Sequence, residues 1–148
     1  MRGRWLLAIC LVAVALPATS SWAATLSRVD LAAVPRYPTH TERWVTLDDV
    51  RGVGRIDWTC EAGSARTRFV NSGPTSSRVR AFVGSAQLWI EAILHPRLAI
   101  EMPLGRRVQR WRVRPISESL PEPVNFRVHP LRAPCARPAV SHDVGRAF

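Results

Sequence analysis

Polar and apolar side chains alternate along Arg110-Trp111-Arg112-Val113-Arg114 and again along Val124-Asn125-Phe126-Arg127-Val128-His129. A period of two sorts such runs into one polar and one apolar face only when the backbone is extended, so both are expected as half-buried β-strands. Shorter runs at 44–47, 53–59, 66–70 and 78–83 continue the pattern, with glycine, asparagine and proline between them. The turn-rich Asn71-Ser72-Gly73-Pro74 suggests that 66–70 and 78–83 form a hairpin. Ser85 could cap a short helix over 86–94, where Leu88, Trp89, Ala92 and Ile93 approximate helical spacing and His95-Pro96 would end it. A strand fits that stretch almost as well. The expected fold is mainly β: a small antiparallel sheet or a single partial barrel, with at most one short helix and a Pro-rich irregular tail.

The ends of the chain set the bounds of that domain. Arg2 and Arg4 precede an apolar run from Trp5 to Leu16, and a short segment rich in small residues follows it. This is the pattern of a secretory signal peptide, with cleavage expected after Ala23. The run holds about 12 apolar residues against the roughly 20 needed to span a bilayer, and no later segment comes closer, so no transmembrane segment is expected. Residues 1–23 are then signal peptide, 24–43 an extended leader broken by Pro35 and Pro38, 44–114 a small β domain, and 115–148 a weakly ordered Pro-rich tail. The expected location is secreted or periplasmic.

Charge divides the chain unevenly. Residues 24–62 carry 5 Arg against 6 acids, whereas residues 63–148 carry 14 Arg against 5. One reading is a basic binding face in the second part. Another is a shifted reading frame, because every basic residue is Arg and none is Lys, as wrong frames of GC-rich bacterial genes tend to yield. The strongest basic cluster is Arg106, Arg107, Arg110, Arg112 and Arg114; on a strand the last three project from one face, where guanidinium forks suit phosphate or sulfate oxygens. An exported protein would meet anionic lipid headgroups or acidic polysaccharide, and no nucleic-acid partner is assigned.

Two cysteines remain after the signal, Cys60 and Cys135, and in an oxidising compartment an even pair is expected to close a disulfide. Free or metal-binding thiols are the alternative. Ser141-His142-Asp143 holds the residue types of a hydrolase triad, but adjacent residues on a strand point to opposite faces and cannot form one. Cys135, His129 and His142 lack metal-ligand spacing, so no metal is assigned, and nothing in the sequence asks for a cofactor.

The segment Leu47-Asp48-Asp49-Val50-Arg51-Gly52-Val53-Gly54-Arg55-Ile56, followed by Cys60 and by Arg66-Thr67-Arg68-Phe69-Val70, resembles the opening of bacterial secreted trypsin-like serine peptidases. In that family a Val-Gly-x-Ile/Val strand leads to a Cys and then to a Thr-Ala-Phe-hydrophobic strand. The resemblance covers 47–70 and implies an exported peptidase-related hydrolase with a peptide substrate. The family's His-bearing strand end is absent from 78–86, and no Gly-Asp-Ser-Gly-Gly occurs. The implied chain is therefore truncated or frame-damaged and catalytically incomplete, with no catalytic residue assigned. The alternative is a small disulfide-bonded basic β domain that binds anionic surfaces.

Overall fold

The computed structural model of the chain describes residues 34–38, 43–85 and 87–145. The expected signal peptide, its cleavage site and most of the leader lie outside the described residues. Within them the chain forms β1 (Val45–Val50), β2 (Gly54–Glu61), β3 (Ser64–Val70), β4 (Ser77–Val83), β5 (Gln87–Leu94), β6 (Ala99–Pro103), β7 (Gln109–Pro115), β8 (Val124–His129) and β9 (Ala139–Val144), with no helix. All neighbouring strands are antiparallel, in a four-stranded sheet ordered β1-β2-β3-β6 and a five-stranded sheet ordered β5-β4-β7-β8-β9. The mainly β expectation holds, as two open sheets rather than one sheet or a partial barrel.

Alternation builds the core. Ile56, Phe69, Ile100 and Met102 from the first sheet meet Val79, Ala81, Ile90, Leu94, Trp111, Val113, Val124, Phe126 and Val128 from the second in one buried cluster. Phe69 and Phe126 tilt against each other across the sheets, their ring centroids 6.1 Å apart. One buried polar bridge crosses the same space: the Thr67 hydroxyl donates to Gln109 Oε1 at 2.6 Å, and Gln109 Nε2 donates to the Pro103 carbonyl at 2.8 Å. Both ends of the Gln109 amide are thus satisfied, as burial requires.

Three local expectations come out differently. Strands β3 and β4 do not form a hairpin, because the chain changes sheets between them. Asn71, fully buried, fixes that crossing: its Nδ2 donates to the carbonyls of Thr75 at 2.9 Å and Leu94 at 2.8 Å, and its Oδ1 accepts from the Gly73 amide at 3.0 Å. Residues 87–94 are strand rather than helix, paired along β4. Their helix-like spacing arises because Leu88 and Ile93 sit exposed on the outer face while Ile90 and Leu94 face the core, so apolar residues occupy both sides of the strand. From Pro115 onward the chain holds β8 and β9, with Val124, Phe126 and Val128 in the core. Pro121, Pro123, Pro130, Pro134 and Pro138 all lie in the connections, where a missing amide hydrogen interrupts no ladder.

The hairpin between β2 and β3 turns through Ala62 and Gly63, both at positive φ (49° and 77°), as a two-residue type I′ turn requires. The sheet edges are treated unequally. Arg36 exchanges backbone hydrogen bonds with Ala99 and covers β6. Strands β1 and β9 approach each other, joined by His142 Nδ1 and Asp48 Oδ2 at 2.7 Å. On β5, by contrast, no strand among the described residues pairs with the outer edge.

Candidate functional site

The outward faces of the two sheets carry charge in opposite ways. On the four-stranded sheet one in-register row sets Asp57, Arg68 and Glu101 side by side on β2, β3 and β6. Arg68 Nε donates to Asp57 Oδ2 at 2.9 Å, Arg55 Nε reaches Asp57 Oδ1 at 3.1 Å, and the Thr46 hydroxyl donates to the same oxygen at 3.0 Å. Glu101 is bracketed by Arg36 and Arg66. The Arg68 guanidinium also lies over the Trp44 ring, 4.2 Å from its centroid. Each of these four arginines has a carboxylate partner, Asp57 and Glu101 each taking two.

The five-stranded sheet does the reverse. Its core-facing positions on β4 and β7 are Val79, Ala81, Trp111 and Val113, so strand alternation sends Arg78, Arg80, Arg110, Arg112 and Arg114 outward together. Register then sets like against like: Arg78 opposes Arg114 and Arg80 opposes Arg112 across β4 and β7, and Arg110 opposes Arg127 across β7 and β8. Directly opposed like charges on neighbouring strands are destabilising. Glu91 answers one of them, pairing with Arg80 at 3.0 Å, and that pair is exposed. No carboxylate among the described residues pairs with Arg78, Arg112 or Arg114.

Arg78, Arg80, Arg112 and Arg114 line a groove of about 410 Å³, walled on one side by Pro115, Ile116, Ser117 and Leu120. The wall is held by backbone bonds: Ile116 N donates to the Ser76 carbonyl at 2.8 Å, extending the β4–β7 ladder, and Leu120 N donates back to the Ser117 carbonyl at 3.2 Å. Four forked donors around one open groove can take several oxygens of an anionic group at once.

The sequence-expected cluster divides between this groove and its surroundings. Arg112 and Arg114 line the groove. Arg110 lies on the same face but is engaged locally, with Nη2 donating to the Ser85 carbonyl at 2.6 Å and its guanidinium 5.5 Å from the Phe82 ring centroid. Arg106 and Arg107 sit exposed in the bend between β6 and β7, where the Arg107 side chain runs beside Gly84. Arg78, Arg80 and Arg127 were not anticipated. Their alternation with apolar residues is visible in the sequence, but the strand partner that opposes them to Arg114, Arg112 and Arg110 is more than thirty residues away for the first two and was not legible from local pattern.

Cys60 and Cys135 are bridged, with Cα atoms 5.6 Å apart, so the loop between β8 and β9 is tied to β2 of the other sheet. The residues of a hydrolase triad do not converge. Ser141 and Asp143 lie opposite Arg127 and Asn125, whereas His142 lies opposite Phe126 on the other side of β9 and pairs with Asp48. A separate Ser76–His95 contact of 2.7 Å sits at the β5 edge of the sheet, the far side from β9. Among the described residues no three His, Cys, Asp or Glu side chains come together in a way that could hold a metal ion, and no helix is long and apolar enough to cross a membrane. No protein family, curated protein or solved structure matches this chain.

Proposed function

We propose that this chain is an anion-binding β domain whose arginine groove takes phosphate-, sulfate- or carboxylate-bearing groups presented on a surface. The in-register opposition of Arg78 to Arg114 and of Arg80 to Arg112 carries the reading. Such pairs repel, and a bridging anion converts that repulsion into shared attraction. The opposite outer face, where Asp57 and Glu101 each pair with two arginines, offers an internal control. Retention on immobilised heparin tests it. The wild-type chain should be retained and should elute as salt rises, since exposed charges are screened over about 10 Å at 0.1 M. Replacing Arg78, Arg112 and Arg114 together by Ser should abolish retention, while Arg55→Ser should leave it unchanged. Equal retention of the triple variant and the wild type would end the proposal.

The likeness of 47–70 to trypsin-like serine peptidases supplies a second reading, an exported and catalytically incomplete relative. It rests on the residues of 47–70 and on the missing His and Ser motifs of that family. It anticipates no hydrolysis of casein or nitrophenyl esters. Turnover lost on His142→Ala would overturn the incompleteness.

A further inference from the structure

We propose that the arginine groove docks on a lipid bilayer bearing phosphate headgroups, with the Leu120 side chain entering between the heads. This rests on the anion-binding reading and names its ligand. A free phosphate or a sulfated polysaccharide would need only the guanidinium groups, yet the groove has an apolar wall. Leu120 is 80% exposed and Ile116 48%, and both stand beside Arg78, Arg80, Arg112 and Arg114 in one groove. On the other side of the arginine block Ile93, 45% exposed, lies in register with Arg78. Apolar side chains flanking arginines, three of which have no carboxylate partner among the described residues, match the order of a bilayer surface, in which phosphate oxygens overlie hydrocarbon.

Backbone geometry at Leu120 points the same way. Its φ is +46°, a conformation that side-chain-bearing residues adopt at a cost and that glycine adopts freely. A large apolar residue is therefore held in a strained, solvent-facing position at the rim of a charged groove. Strain of this kind clusters at ligand-clamping sites.

The test compares the purified, disulfide-bonded chain on three probes: vesicles of phosphatidylcholine with one-third phosphatidylglycerol, vesicles of phosphatidylcholine alone, and heparin. The wild type should co-sediment with the anionic vesicles and stay in the supernatant when mixed with the neutral ones. Leu120→Gly removes the side chain while suiting the backbone, so the fold should persist with an unchanged or raised melting temperature. Its affinity for anionic vesicles should fall by about tenfold, with heparin retention intact. Replacing Arg78, Arg112 and Arg114 by Ser should remove binding to both. Wild-type vesicle affinity in the Leu120→Gly variant would overturn the insertion while leaving the anion reading in place. Heparin retention by the wild type without vesicle binding would overturn bilayer docking in favour of an acidic polysaccharide, and failure on all three probes would overturn the anion reading itself.

Discussion

Asp57 and Arg68 are both almost wholly buried on an outer sheet face, the carboxylate at 1% relative exposure and the arginine at 5%. Removing one partner of such a pair strands a charge away from water, so Asp57→Asn should destabilise the fold by about 3 kcal/mol, read from urea midpoints. The exposed Arg80–Glu91 pair supplies the contrast: Glu91→Gln should change stability by less than ~1 kcal/mol. Gly54 is a second sensitive position. A Cβ there would press into the Phe69 ring and the Val70 carbonyl oxygen, so Gly54→Ala should cost about 1–3 kcal/mol through overpacking. The sequence made Arg112 and Arg114 legible because each sits between apolar neighbours in one short run. It hid the role of Asp57 and Glu101, since the row that joins them through Arg68 gathers residues from three strands, the last two of them 33 positions apart.

At the level of strands, local alternation identified the cores of β2, β3, β4, β7 and β8, because polar and apolar residues alternate along each. It failed where that contrast breaks down. Strand β5 has apolar residues on both faces, and β6 presents Ala99, Ile100, Glu101 and Met102, all buried. The turn after β3 was recognisable, but its sense was set by Asn71 reaching the Leu94 carbonyl 23 residues later. The link between the sheets is more readily probed through Cys60 and Cys135, which lie 75 residues apart. Replacing both by Ser should lower stability by about 4 kcal/mol in the chain-entropy description. Maleimide should label neither cysteine in the native, non-reduced protein, and labelling of both would remove the bridge from consideration.

Across the whole molecule one hydrophobic cluster takes residues from β2 through β8, so the sheets should unfold together. Limited proteolysis should leave a resistant fragment that extends past Val128, with a single thermal transition. Out-of-frame sequence would alternate only by chance, and a second half of that kind should not unfold cooperatively with the first. Two early fragments at separate midpoints would support the damaged-gene reading instead. The outer side of β5, which no strand among the described residues pairs with, bears on how the protein is handled. Leu88 and Ile93 are exposed along it, and an open apolar strand edge is a template for another copy of the same edge. Mutual repulsion between the arginine faces keeps copies apart in dilute buffer, so raising salt should bring turbidity and thioflavin-positive assemblies, and Ile93→Lys should delay them.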